Sequence, residues 1–213
     1  MVSCWGRGIE QRGIEQSSIV GIIEKLWGLR ESLVEFKEVG PGCPHGLYIY
    51  DKERDVWVLF SSKDNDVFLP KVDGYYIIYF DNSRCSACRK YDIHWFPYIR
   101  QNSQKLPDHY FIIVLCDWFA RECKSPVASN TFTYYAVHAS PTTVLLYIKN
   151  GKEVYRETYD GYLKMDELEK VVGGFRSRVE AYEKGMKVSK PIEEGQDIIK
   201  LLKQLLSGAR ENV

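Results

Sequence analysis

Residues 79–90 read YFDNSRCSACRK. A short β-rich run, YYIIYF at 75–80, leads into two cysteines separated by two small residues, and basic residues follow. The segment from Cys85 to Arg100 carries Tyr91, Trp95, Tyr98 and Ile99 at helical spacing, so the cysteines stand where a buried strand hands over to a helix. A thiol at a helix start faces unpaired backbone N–H groups and the positive end of the dipole, both of which favour thiolate over thiol. Cys85 is therefore the predicted nucleophile, exposed at the loop end, with Arg84, Arg89 and Lys90 adding positive charge nearby. Cys88, one turn on, lies on the same helical face within reach of a disulfide, and is the predicted resolving thiol. Two plainer readings stand beside this one, a structural disulfide and half of a zinc site. A four-cysteine ribbon needs two close pairs, and the six residues between Cys116 and Cys123 fit a knuckle poorly. No metal and no cofactor are expected.

Working outward, YFIIVLC at 110–116 reads as a second buried strand, joined to the first by the helix and hence parallel to it. Residues 140–161, SPTTVLLYIKNGKEVYRETYDG, give a strand, an Asn-Gly turn and a second strand, an antiparallel hairpin. KMDELEKVVGGFRSRVEAYEKG follows as a helix, with Asp166 placed to cap or charge its first turn. On the N-terminal side, LYIYD and VWVLFSS flank KERD, a second predicted hairpin. IVGIIEKLWGLRESLVEF, capped by Ser17 or Ser18, has apolar residues at helical spacing from Ile19 to Phe36 and predicts an amphipathic helix. The first 16 residues, with RGIEQ twice, read as a ragged terminus, and DIIKLLKQLLSG gives one more short helix near the other end.

The division expected is an N-terminal helix and hairpin extension over 1–65, a central α/β domain over 66–184, and a linker with a C-terminal helix over 185–213. Hydrophobic residues make up 45% and charged residues 27%, a globular balance. The 29 basic side chains cancel the 29 acidic ones, so the excess that nucleic-acid binding requires is missing. No apolar stretch is long enough to cross a bilayer, and the N-terminus lacks a signal-peptide core, so a cytoplasmic protein with no membrane partner is expected. In that setting Cys4 and Cys43 are expected to be free, or paired only under oxidising conditions. Cys116 reads as a small core residue or as a partner for Cys123 across a turn. Structural or solvated roles are expected of His45, His94, His109 and His138.

Taken together, the CxxC at a strand–helix junction, the Ser-Pro-Thr opening a later strand, LLYIKNGKEV, and Gly161 ahead of the last helix resemble the thioredoxin family over roughly residues 66–182. The resemblance implies a mixed central sheet flanked by helices, and a thiol–disulfide oxidoreductase that exchanges disulfides with proteins and moves electrons in redox homeostasis. It implies protein disulfide or dithiol substrates and a recharging disulfide reductase. It also implies a cis bond between Ser140 and Pro141, with the Ser140 backbone left to pair with a bound peptide. The family's buried acid, six positions before the first cysteine, is replaced by Tyr79, and the tryptophan before that cysteine by Arg84. The proline that often kinks the active-site helix is missing at Ile93. Asp81 is the remaining candidate for electrostatic tuning of Cys88, provided the strand stays regular. An inert interaction module and a redox sensor are the competing readings, and the apolar face of residues 19–36 suggests docking on the core or a homodimer through the extension.

Overall fold

A computed structural model describes residues 34–60 and 67–192, together with Cys4 and the strand Arg7–Gly8. Strand β5 (Gly74–Asn82) is buried at every position. Successive strand side chains alternate, so Tyr75, Ile77 and Tyr79 enter one core layer while Tyr76, Ile78 and Phe80 enter the other. Helix α1 (Ser86–Asn102) crosses the first layer and returns the chain to β6 (His109–Cys116), which pairs parallel to β5. Tyr91, Trp95, Tyr98 and Ile99 are all on its buried face, as their spacing predicts. The helix continues through Pro97, one turn beyond Ile93.

Helix α2 (Pro126–Tyr134) covers the second layer, its start capped by Ser125, whose Oγ accepts from Ala128 N at 3.4 Å. Strands β7 (Thr142–Lys149) and β8 (Lys152–Asp160) form the predicted hairpin, β7 antiparallel to β5. Asn150 and Gly151 turn it at φ 54° and 68°, the left-handed pair that matches strand twist. The closing helical segment runs as α3 (Met165–Leu168), a π turn over Glu169–Gly173, and α4 (Phe175–Glu183). Asp166 lies in its first turn, but the carboxylate that accepts a backbone N–H there is Glu167, from Lys164 N at 2.7 Å. Arg178 of α4 donates twice, at 2.8 Å, to the buried Glu157 of β8, which ties the helix to the sheet.

The same sheet extends to the N-terminal side. Among the described residues it has eight strands in the order β1-β2-β4-β3-β6-β5-β7-β8, with β1 at Arg7–Gly8, β2 at Val34–Phe36, β3 at Gly46–Asp51 and β4 at Val56–Phe60. The hairpin of β3 and β4 forms around the KERD turn as its pattern predicts, and β3 adds antiparallel to β6. Two expectations change here. Residues 34–36, read as the last turn of a helix, are a strand, because Val34 and Phe36 pair with β4 and Phe36 meets the edge of Tyr48 at 5.5 Å. The terminus expected to be ragged contributes β1, and of the two states expected for Cys4 and Cys43, free or paired, the structure has them paired in a disulfide. Residues 19–33, with their Ser17 or Ser18 cap, and the predicted C-terminal helix at 197–208 lie outside the described residues.

Candidate functional site

The turn from Asn82 to Cys85 closes with a 2.9 Å hydrogen bond from Cys85 N to Asn82 O and delivers Cys85 as the N-cap of α1. Cys85 has extended backbone, φ −90° and ψ 118°, and its Sγ accepts the Cys88 N–H at 3.4 Å. A helix leaves its first N–H groups unpaired, and here the sulfur takes one of them. Both cysteines are free thiols. Cys88 has no exposed surface and Cys85 only 9%, so Cys85 sits in the rim of the site rather than standing out from the loop as expected.

The bond between Ser140 and Pro141 is cis, in line with the family resemblance, and the loop lies directly against the dithiol. The Cys85 thiol donates to the Ser140 carbonyl at 3.4 Å, and Cys88 Sγ and Ser140 Oγ are 3.0 Å apart. Asn82 donates through Nδ2 to Ser140 Oγ at 2.8 Å. The Ser140 carbonyl is thus engaged by the reduced dithiol, where it was expected to be open for a peptide.

The basic residues divide. Arg84 faces Asp117 (3.4 Å) and Glu122 on the neighbouring loop. Arg89 turns back under the helix, pairing with the fully buried Asp81 and with Asp92 at 3.2 Å. Lys90 lies exposed on the outer face of α1. Because β5 stays regular through Asn82, alternation carries Asp81 to the Tyr79 face, beneath Cys88. Tyr79 OH donates to Asp92 Oδ1 at 3.1 Å and lies 3.3 Å from the Cys88 carbonyl. Asp92, Asn82 and Asp117 had no motif of their own. Only the i, i+3 spacing of Arg89 to Asp92 offered a signal for one of them.

These contacts separate the two sulfurs electrostatically. Burial opposes ionisation of Cys85, but hydrogen bonds from Ser140, Cys88 and the Ala87 N–H outweigh it and hold the thiol below its usual pKa. Burial, reinforced by the negative charge of Asp81, pushes the Cys88 thiol well above its usual value. Burial also raises both carboxyls, against the pull of Arg89. One guanidinium faces the buried Asp81 and the half-buried Asp92, so the charge balances when one of them holds a proton. Asp92, pressed by burial and by Asp81, is pushed up to about 8.

A pH dependence follows. The folded pKa of Asp92 lies above its ordinary 3.8, so its contribution to stability is fully present below about pH 4 and is lost as pH rises to about 8. Asp81, Arg89, Tyr79 and Glu38 are the groups that act on it. Asp92→Asn mimics the protonated acid and is expected to flatten stability across that window. Urea midpoints at pH 5 and pH 8 check it, and parallel shifts in wild type and variant would mean that Asp92 titrates normally.

Elsewhere, Cys116 and Cys123 form a disulfide, which removes them as the second half of a ribbon. His45 pairs with Asp117 at 3.1 Å and accepts from Lys124 N at 2.8 Å. His109 is buried beside Asp108, and burial lowers it to about 4. His94 is half-buried and His138 exposed. Among the described residues, no group of three or more His, Cys, Asp or Glu side chains is arranged to hold a metal ion, and no helix is long and apolar enough to cross a membrane.

No protein-family model matches the chain, and no curated protein does. Solved structures similar to it include a thioredoxin from Aeropyrum pernix, at 14% identity and TM-score 0.41, covering 65% of this chain and 96% of the other. A thioredoxin-fold protein from Helicobacter pylori has 20% identity and TM-score 0.41, covering 71% and 92%. Fasciola hepatica thioredoxin has 21% identity and TM-score 0.33, covering 48% and 83%. At such values the fold rests on the chain's own connectivity. A parallel strand pair is bridged by a helix that starts at the dithiol, followed by a cis-proline loop, an antiparallel hairpin and a closing helical segment, with extra N-terminal strands on one side, and this is a thioredoxin-like fold.

Proposed function

We propose that the protein is a thiol–disulfide oxidoreductase acting on protein disulfides or dithiols through Cys85 and Cys88. The observation that supports it is the opposite treatment of two thiols one turn apart: Cys85 is capped by N–H donors at the rim, and Cys88 is sealed against Asp81. In the reducing direction the Cys85 thiolate attacks one sulfur of a substrate disulfide. The substrate S–S bond breaks, one substrate thiolate leaves, and a mixed disulfide forms. Cys88 then gives its proton to Asp81 and attacks Cys85 Sγ, which forms the Cys85–Cys88 bond and releases the second substrate thiolate. Two electrons pass to the substrate, and a disulfide reductase restores the dithiol. In the oxidising direction the same steps run backwards.

Asn82 is a positioning residue in this reading, because it holds Ser140 Oγ beside Cys88. A cytoplasmic location is part of the proposal, restricted by two further disulfides to a cell whose interior keeps such bonds oxidised. Self-association through the N-terminal extension, residues 1–65, belongs to it as well.

The test is the reaction of the reduced protein with a model disulfide and with iodoacetamide over a pH series. Cys85 is expected to react before any other thiol. The rate should rise with pH and level off below pH 9, since its pKa lies under the ordinary 9.0 while that of Cys88 lies above it. Peptide mapping identifies the labelled residue, and first labelling at Cys88 would overturn the assignment.

A further inference from the structure

Cys116 and Cys123 close a short loop, Asp117–Glu122, whose ends pair across it through Trp118 and Glu122. Within it Phe119 has φ 50°, a left-handed conformation uncommon for a bulky residue. The two adjacent rings part company there. Phe119 turns inward against Phe132, at 6.2 Å, and Trp118 remains 40% exposed with its ring edge-to-face on Phe119 at 5.2 Å. Trp57 and Trp95, the other tryptophans among the described residues, are buried.

The loop is fastened to the turn that presents Cys85. Ser83 N donates to Cys116 O at 2.9 Å, Ser83 Oγ bonds Asp117, and Phe119 N donates to Asn82 Oδ1 at 2.6 Å. Arg84, immediately before Cys85, bonds Asp117 and Glu122. Trp118 is therefore held in a set place relative to the attacking sulfur by a disulfide and by hydrogen bonds, at the rim where a substrate approaches. The charged side chains of this rim (Arg84, Asp117, Arg121 and Glu122) sum to zero, and Arg84 is paired with Asp117 and Glu122, so the large feature that the loop presents is the Trp118 ring. A large, rigid, partly exposed aromatic gains most by burying an apolar group against its face.

We infer that Trp118 determines substrate specificity: it receives a large apolar side chain flanking the reacting cysteine of an extended protein segment. The inference rests on the oxidoreductase reading and names its substrate class, cysteines flanked by large apolar rather than small residues.

Two synthetic disulfide peptides test it, alike except that leucine or glycine flanks the cysteine. Rates of mixed-disulfide formation are measured with the full-length protein. Wild type is expected to prefer the leucine peptide by about tenfold, the scale of one additional apolar side chain removed from water. In Trp118→Ala the ratio should fall to near one, and Trp118→Phe should keep most of it. Met186→Ala, which removes another exposed apolar side chain, serves as the control and should keep the wild-type ratio. Circular dichroism of each variant establishes that it is folded, so a ratio near one reports loss of preference rather than non-selective reaction of unfolded chains. A wild-type ratio near one, or a preference that survives in Trp118→Ala, overturns the inference. Failure of wild type to react with either peptide sinks the oxidoreductase reading itself, and is distinguishable from loss of preference alone.

Discussion

With Cys88 replaced by serine, the protein is expected to accumulate a covalent complex with its substrates through Cys85, whereas Cys85→Ser should capture none. The asymmetry comes from placement. Cys85 lies at the rim as the helix cap, and Cys88 is sealed beneath it, facing Ser140 and Asp81. A substrate disulfide can reach only the first sulfur, and only the second can release what the first has captured. Turnover of a model disulfide protein should fall at least about a thousandfold in Cys85→Ser, because the remaining thiol is buried and its pKa is raised, leaving almost no thiolate at neutral pH. Non-reducing gels of lysate incubated with each variant read the outcome directly. Equal capture by both variants would point to two equivalent thiols, as in a structural pair. If wild type reduces nothing and Cys88→Ser captures nothing, the interaction-module reading takes the place of the enzyme.

Arg89→Ala is expected to destabilise the fold by about 3–5 kcal/mol, the usual penalty for removing one partner of a buried ion pair. Asp81 has no exposed surface and the Arg89 side chain little. The loss would leave the buried Asp81 and the half-buried Asp92 without their cation. For a domain of this size that corresponds to a melting temperature lower by roughly 10 °C, readable by circular dichroism. The sign with pH is also set. Without Arg89 the folded pKa of Asp81, already above 3.8, rises further, so the deficit against wild type is smallest at acid pH and grows toward pH 8. Combining Asp81→Asn with Arg89→Met should recover much of the loss, because a charge-free pair has no buried charge to compensate. A single variant melting within a degree or two of wild type would show that the pair is not formed in solution.

What the chain reveals by itself about this site is the part decided over a few residues. The dithiol, its placement at a helix start, the identity of the buried helix face and the Asn150–Gly151 turn all follow from spacing and from backbone preferences that act within a turn or two. Strand alternation likewise places Asp81 on the Tyr79 face as soon as β5 is regular. Longer-range choices were not legible. Arg89, by position a charge beside the Cys85 sulfur, points the other way, because the carboxylates of the buried Asp81 and half-buried Asp92 offer a deeper well than a thiol. Val34–Phe36 has the spacing of a helix end and becomes a strand, because β4 supplies the ladder partners that helix propensity competes against. Cys4 finds Cys43 across 39 positions, a pairing that depends on where β1 and the loop after β2 come to rest. The 117–122 loop carries no motif, and its fastening to the Cys85 turn exists only because β5 and β6 run parallel and end side by side at Asn82 and Cys116. Sequence alone therefore determined the candidate dithiol, since spacing and capping are local. The tertiary structure decided which charges and which aromatic ring surround that pair, since burial and strand pairing are set by residues far apart in the chain.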